Sequence, residues 1–244
     1  MSQCVGGILP LIYFSRSNSS LLKLTKPKFD GKALLKTCTN GSSELMSNIS
    51  ASIVSMLYNI QLLAYAGENG VAAYGVLMYV NMIFQAVFLG YSVGTAPVIS
   101  YHDGAQNYGE LRGLLRKSLA ILSVFAVAMF IFAAFLASPL STLFVGYDLE
   151  LLEITLRAFS IYSFSFLFSG FAIFGSSFFT ALNDGLVSAL ISFMRTLVFQ
   201  ILLVLTFPLI WGIDGIWLSI VAAEMMAVVV TTLFIVGKRK KYHY

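Results

Sequence analysis

The chain has 244 residues, of which 58% are hydrophobic and only 11% are charged, and its formal net charge is +4. An ordinary soluble domain has about 25% charged residues, and a soluble fold of this size has too little interior for so much apolar surface. The composition therefore predicts an all-α polytopic membrane protein. It argues against a secreted domain, a soluble enzyme and a nucleic-acid-binding protein, because the basic residues form short clusters between apolar runs.

The chain divides into four parts when it is taken from its beginning. Residues 1–14 are apolar but too short to cross a bilayer, and we interpret them as the last part of a transmembrane helix. A basic linker follows at 15–36, then an apolar region at 37–237 and a basic tail at 238–244. Within the apolar region, six segments are long enough to cross a bilayer: 45–67, 69–102, 118–147, 158–183, 186–208 and 213–237.

The basic residues alternate between the predicted loops. They are Arg16, Lys23, Lys26, Lys28, Lys32 and Lys36 in the linker, Arg112, Arg116 and Lys117 after the second span, and Lys238, Arg239, Lys240 and Lys241 in the tail. The loops after the first and fifth spans contain neither Lys nor Arg, and the segment after the third span contains only Arg157, at the edge of span four. Because positively charged loops stay in the cytoplasm, both ends of the six-span region are predicted to be cytoplasmic.

Polar residues form stripes on three of the six spans. At 100° per residue, the polar positions of spans one, two and four each fall within an arc of roughly 60–80°. Polar groups are costly in lipid, so these faces are predicted to line a cavity, whereas the almost wholly apolar third span is predicted to be peripheral. The candidate cavity residues are Asn48, Ser52, Asn59, Tyr74, Asn81, Gln85, Tyr162 and Ser169. For the Ser and Thr residues of span four, tight helix packing is an equally good explanation.

Three charged residues are candidates for ion coupling or for a structural role. Glu44 lies near the start of span one, and Arg195 and Glu224 lie about 15 Å and about 20 Å from the cytoplasmic ends of spans five and six. Because these two spans are joined by a short turn, we predict an Arg195–Glu224 ion pair and favour a structural role over transport. The sequence shows no Ser/His/Asp set, phosphate-binding loop or paired metal carboxylates within the spans, which argues against an enzyme.

Several motifs resemble those of the multidrug and toxic compound extrusion (MATE) transporters. They are Gly-Tyr-Ser-Val-Gly-Thr-Ala-Pro at 90–97, Phe-Phe-Thr-Ala-Leu-Asn-Asp-Gly at 178–185, Gly-Ile-Asp-Gly-Ile-Trp at 212–217, and Gly-Ser-Ser-Glu at 41–44. The resemblance covers essentially the whole chain. It implies one six-transmembrane-helix lobe, the C-terminal one, of a twelve-helix transporter, with the tail of helix six and the interlobe linker before it. It also implies that spans one, two and four face the central cavity.

The resemblance further implies a function. Such transporters are secondary-active antiporters of the bacterial plasma membrane, which export amphipathic organic compounds by alternating access. They need no cofactor besides a coupling ion, H⁺ or Na⁺. Some members carry coupling carboxylates in the seventh and tenth helices, but residues 48–52 and span four contain none, so the coupling site is expected in the N-terminal lobe.

The expected partners are membrane lipid, an amphipathic cargo, and either the missing N-terminal lobe or a second copy of the chain; nucleic acid is not expected. Two alternative functions remain at this stage. The chain could be a transport-incompetent lobe that acts only with a partner half. It could instead be a lipid-linked oligosaccharide flippase, which would need a cationic cavity.

Overall fold

The computed structural model describes residues 2–16 and 29–244, and these are helical apart from short turns. The chain forms two compact units, Met1–Lys36 and Thr37–Tyr244. In the first unit, helix α1 spans Ser2–Ser15 and exposes apolar side chains such as Leu11 and Tyr13. Most of the predicted basic linker, residues 17–28, lies outside the described residues.

The helical stretch Gly31–Gly104 is broken at Gly67, which divides it into α2 (31–66) and α3 (68–104). Gly67 has φ 63° and ψ −153°, a backbone conformation that favours glycine. The rings of Tyr58 and Tyr74 are stacked with their centroids 5.6 Å apart. In a straight helix these residues would lie about 24 Å apart, so the chain reverses direction at Gly67. The predicted hairpin between the first two spans is therefore confirmed.

Four further long helices complete the second unit. They are α4 (Tyr108–Val145), α5 (Leu149–Ala181), α6 (Gly185–Trp211) and α7 (Ile213–Tyr242). The side chain of Asn107 caps α4 by accepting a hydrogen bond from the Glu110 N–H, and that of Asp148 caps α5 through the N–H groups of Glu150 and Leu151. Within the described residues, five helical stretches are long and apolar enough to cross a membrane, and the first, Ser47–Gly104, contains two spans because it is broken at Gly67. The predicted six-span helical membrane bundle is thus confirmed.

Two of these helices contain local irregularities. Helix α5 consists of Leu149–Tyr162, a 3₁₀ turn at Ser163–Ser165, and Phe166–Ala181. Helix α6 consists of Gly185–Phe193, a π-helical turn at Met194–Val198, then Phe199–Thr206 and Pro208–Trp211. In the π turn, the Phe199 N–H donates to the Met194 carbonyl, five residues back. A π turn places one extra residue in the helix and is often found at functional sites.

Helix α5 lies at the centre of the bundle and packs against α4, α6 and α7. Its packing against α3 and α7 depends on two glycines, because the Phe88 ring lies against Gly170 and the Thr231 side chain against Gly175. Helix α4 is peripheral, as predicted from its composition. Only 17% of its apolar 18-residue segment is buried within the protein, whereas the corresponding fraction for α5 is 67%.

Charged groups join helices at both ends of the bundle. At one end, Asp184 in the α5–α6 turn accepts hydrogen bonds from Lys241 Nζ at 3.0 Å and from the Tyr242 hydroxyl at 2.6 Å, both at the end of α7. At the other end, Arg157 of α5 forms an ion pair with Asp214 of α7. Burial raises the pKa of the Asp184 carboxyl, but the hydrogen bonds from Tyr242 and Lys241 outweigh it and hold the pKa below its ordinary value.

Candidate functional site

A polar cavity of about 630 Å³ lies inside the second unit. Helices α2, α3, α5, α6 and α7 all contribute side chains to its wall, whereas α4 contributes none of the lining residues. The wall is formed by Ser47, Asn48, Ala51, Val54, Ser55, Tyr58, Tyr74, Met78, Asn81, Gln85, Leu89, Ser92, Val93, Tyr162, Ala172, Ile173, Ser176, Ser177, Ser192, Arg195, Thr196, Gln200, Ile220 and Glu224.

The α2–α3 wall combines aromatic rings with unsatisfied polar atoms. The stacked rings of Tyr58 and Tyr74 form part of it. The Asn81 Oδ1 and Ser92 Oγ atoms are buried, and neither has a hydrogen-bond partner among the described residues. Buried polar atoms almost always have a partner, so these two atoms leave hydrogen-bonding capacity on this wall that no described residue uses.

A hydrogen-bond network involving Tyr58 joins three of the helices behind the wall. The Tyr58 hydroxyl donates to Gln200 Oε1 of α6 at 2.6 Å and lies 2.9 Å from Ser219 Oγ of α7. All three side chains are at least nine-tenths buried. Because leaving any of these groups without a partner would be costly, the network fixes the relative positions of α2, α6 and α7.

The two charged residues of the wall form an ion pair. Arg195 Nε donates to Glu224 Oε2 at 2.9 Å, and the two side chains are 17% and 7% exposed. The predicted pairing of these residues is therefore confirmed. Since the pair is neutral overall, the described part of the wall has no net charge.

Hydroxyl groups connect α5 to α6 along the edge of the cavity. Ser176 Oγ lies 2.9 Å from Ser188 Oγ and 2.8 Å from Ser192 Oγ, and Thr180 Oγ1 lies 2.6 Å from Ser188 Oγ. Ser176 and Ser192 also line the cavity. The polar stripe of span four therefore serves helix packing and the cavity wall together, the two explanations that its sequence left open.

Five of the eight candidate residues lie on the wall: Asn48, Tyr74, Asn81, Gln85 and Tyr162. The other three lie away from it. The Ser52 hydroxyl donates to the Asn48 carbonyl on an exposed face, and Asn59 Nδ2 donates to the Ser55 carbonyl at 2.8 Å. Ser169 is fully buried between helices. The side chain of Glu44 lies outside the described residues. A role of any of these residues in substrate binding remains a prediction.

The sequence interpretation missed the contribution of α6. Ser192, Thr196 and Gln200 line the cavity beside Arg195, and they recur every four residues, within an arc of about 80° on a regular helix. Gln200 could have indicated from the sequence that α6 faces the cavity or a neighbouring helix, since an amide in an otherwise apolar span is costly in lipid. Its hydrogen bond from Tyr58 shows how that cost is offset.

Comparison with known proteins identifies the family. The profile of the MatE family matches residues 45–206, which is more than half of the chain. The chain belongs to the MatE family. Members of this family are the MATE transporters rather than enzymes, as the motifs at 90–97 and 178–185 predicted.

One curated relative in the MATE family matches nearly the whole length of this chain. The multidrug export protein MepA of Staphylococcus haemolyticus is 21% identical over 252 residues, and the match covers 99% of this chain and 53% of MepA. The chain spans about half the length of the relative that it matches, which is the size expected of one lobe.

Solved structures of MATE transporters share the fold. A MATE transporter crystallised in complex with MaL6 superposes with a TM-score of 0.91, and an outward-facing multidrug resistance MATE transporter of the MOP superfamily with 0.90. Both are 21% identical, and each match covers 99% of this chain and 55% of the other. A Pyrococcus furiosus MOP superfamily transporter, described as having a binding pocket of reverse polarity, gives 0.89 at 21% identity, with 100% of this chain and 55% of that one covered.

Proposed function

We propose that the chain is the C-terminal half of a secondary-active efflux transporter of the plasma membrane and that its cavity is one wall of the substrate site. The observation that carries this proposal is the cavity of about 630 Å³, with unsatisfied polar atoms and aromatic rings on one wall. Sites for organic molecules typically have volumes of about 300–1,000 Å³ and combine apolar surface with a few placed polar groups.

The chemistry of the wall favours an amphipathic organic cargo. The stacked Tyr58 and Tyr74 rings offer apolar surface to a flat molecule, and Asn81 and Ser92 offer hydrogen bonds. A lipid-linked oligosaccharide carries phosphate and would be expected to require a cationic wall. In the described lining, the only cation, Arg195, is already neutralised by Glu224, so the flippase alternative is not favoured.

In this proposal the second lobe supplies the opposite wall and the coupling site. Inward movement of H⁺ or Na⁺ drives alternating access. Both ends of this half face the cytoplasm, because each end carries a basic cluster and positively charged segments stay on the cytoplasmic side. Glu224 serves a structural role, since its carboxylate is occupied by Arg195 rather than free to bind a cation.

The test compares two asparagines of the same unit. Asn81 has an unpartnered Oδ1 on the cavity wall, whereas Asn59 lies away from the wall and bonds the Ser55 carbonyl. The chain is co-expressed with the N-terminal lobe of a MATE transporter in cells lacking their own efflux pumps. Accumulation of a fluorescent amphipathic dye is measured, and so is dye binding to the purified protein.

Loss of one hydrogen bond to cargo should weaken dye binding by roughly fivefold in Asn81→Ala. Asn59→Ala should match the wild-type protein. Equal effects of the two variants would contradict the assignment of the cavity. Absence of dye binding by the folded wild-type protein would contradict the proposed substrate class.

A further inference from the structure

A second cavity of about 420 Å³ lies where α4 begins and α7 ends, and it shares no lining residue with the polar cavity. Its wall is basic: it is formed by Arg112, Arg239, Lys240, His243 and Tyr244. We call these residues the basic pocket.

The basic pocket is shaped by the tail, which folds back on the bundle. His243 has a left-handed conformation, φ 57°, which reverses the chain after α7, and its ring lies 5.1 Å from that of Tyr108 in α4. Tyr244 is buried against Phe178, with the ring centroids 5.2 Å apart, and its hydroxyl donates to the Ile235 carbonyl at 2.9 Å. The pocket is therefore held in place by packing rather than formed by free side chains.

The basic residues of this end fall into two groups. Lys238 and Lys241 lie 3.9 Å and 3.0 Å from the Asp184 carboxylate. By contrast, Arg112, Arg239 and Lys240 have no Asp or Glu carboxylate within 4 Å among the described side chains, although Arg239 Nε also donates to the main-chain oxygen of Tyr244 at 3.1 Å. Like charges gathered around a small cavity repel one another, and an anion bound between them would relieve that repulsion.

An exposed apolar column on α7 leads to the pocket. Val229, Leu233 and Val236 are all more than half exposed and lie within an arc of about 60° with Lys240. In a chain with this many membrane-spanning helices, such a column contacts acyl chains, and basic residues at its end lie at the level of the lipid headgroups. An apolar track that ends in a basic pocket without a described acidic side chain beside its cations is complementary to a molecule with both an acyl chain and an anionic head.

We propose that the basic pocket binds the headgroup phosphate of an anionic phospholipid whose acyl chain lies along the Val229–Leu233–Val236 column. Basic pockets beside transmembrane helices are known to bind such headgroups. The lipid would bridge Arg112 of α4 with Arg239 and Lys240 of α7 and so hold the two helices together at this end. The proposal does not depend on the substrate cavity or on transport.

The test measures lipid retained by the purified chain in detergent, using native mass spectrometry. The probes are phosphatidylglycerol, which is anionic, phosphatidylcholine, which has the same phosphate but no net charge, and soluble glycerol phosphate, which has no acyl chain. The wild-type protein should retain phosphatidylglycerol at least tenfold better than phosphatidylcholine. Millimolar glycerol phosphate should not displace it.

Two sets of variants have the same change of charge. Arg112→Gln, Arg239→Gln and Lys240→Gln together alter the pocket, whereas Lys32→Gln, Lys36→Gln and Lys117→Gln remove three exposed charges that do not line it. Each lost contact should weaken retention of phosphatidylglycerol by roughly fivefold, so the three substitutions together should reduce it by roughly a hundredfold. The control variant should retain phosphatidylglycerol like the wild-type protein.

A third variant, Leu233→Ser, changes the apolar column without changing any charge and should weaken retention of phosphatidylglycerol severalfold. Unchanged retention in the pocket variant, with its fold verified by circular dichroism, would overturn the proposal. Equal retention of phosphatidylcholine would overturn the requirement for an anionic lipid. If glycerol phosphate competes fully and Leu233→Ser has no effect, the pocket binds free phosphate and the lipid assignment is wrong.

Discussion

Arg195 Nε and Glu224 Oε2 lie 2.9 Å apart across the contact between α6 and α7, at the wall of the polar cavity. An ion pair this deep stabilises the lobe only while both partners are present. Each charge alone would be left in a poorly hydrated environment, where desolvation is expensive.

Removing one partner of this pair should therefore cost more than removing both. Arg195→Met should reduce the free energy of unfolding in detergent by about 3 kcal/mol, because it leaves the buried Glu224 carboxylate uncompensated. The double variant Arg195→Met, Glu224→Met should recover much of that loss. Chemical unfolding of the purified variants gives the comparison, and strictly additive effects would show that the two residues are not coupled.

The glycine at the α3–α5 crossing gives a packing prediction. A Cβ at Gly170 would lie 2.5 Å from Cδ1 of the fully buried Phe88 ring, so Gly170→Ala should destabilise the lobe by about 1–3 kcal/mol. Gly90→Ala, at an exposed helical position with open space around it, is the matched control and should be neutral or stabilising by about 0.5–1 kcal/mol. If both variants unfold at the same denaturant concentration, the close approach at Gly170 is incorrect.

The Asp184 contacts predict a pH-dependent contribution to stability. Since the pKa of the Asp184 carboxyl is lowered from its ordinary value of 3.8, its stabilising effect is fully present above that value and is lost as the pH falls through the lower folded pKa. The melting temperature of wild type should exceed that of Asp184→Asn at pH 6, and the difference should shrink below pH 3.8. A difference that grows on acidification would show that the carboxyl is instead destabilised in the fold.

Membrane orientation can be tested with single cysteines, after the exposed Cys4 and Cys38 have been replaced by Ser. Cysteines at Glu68, the first residue of α3, and at Tyr147, in the α4–α5 turn, lie at helix ends without basic residues and should react in intact cells with a membrane-impermeant thiol reagent. A cysteine at Glu110, next to Arg112, should react only after the cells are permeabilised. Labelling of position 110 in intact cells would reverse the proposed orientation.

The number of spans could be predicted because a helix that crosses a bilayer needs a long apolar run, and each helix of the observed bundle contains such a run. The ends of the helices could not be predicted in the same way. Helix α4 begins at Tyr108 and α5 at Leu149, about ten residues before their charge-free segments begin. The capping side chains of Asn107 and Asp148 set these starts, so the helices continue beyond the apolar segments.

The cavity could be predicted in part. Asn81 and Gln85 lie one turn apart on a regular helix, so a constant angle per residue places them correctly on the wall. The same method failed for Ser52 and Asn59, whose polar groups are satisfied by carbonyls of their own helix and need no cavity. Short polar side chains can form such bonds anywhere on a helix, so a polar stripe alone does not determine which face a neighbouring helix covers.

The π turn at Met194–Val198 allows the length of α6 to change in evolution by one residue without moving its contacts. Ser192 and Gln200 would differ by about 80° on an uninterrupted α-helix, but the extra residue brings them to within about 20° of each other. Each is tied to a different neighbour, Ser192 to Ser176 and Gln200 to Tyr58. Deleting one residue here would remove the bulge and restore an ordinary helix, in which the two residues, now seven apart, would keep the same angle of about 20° and both attachments. Related sequences can therefore differ by one residue in the length of this segment, with the π turn present only in the longer ones.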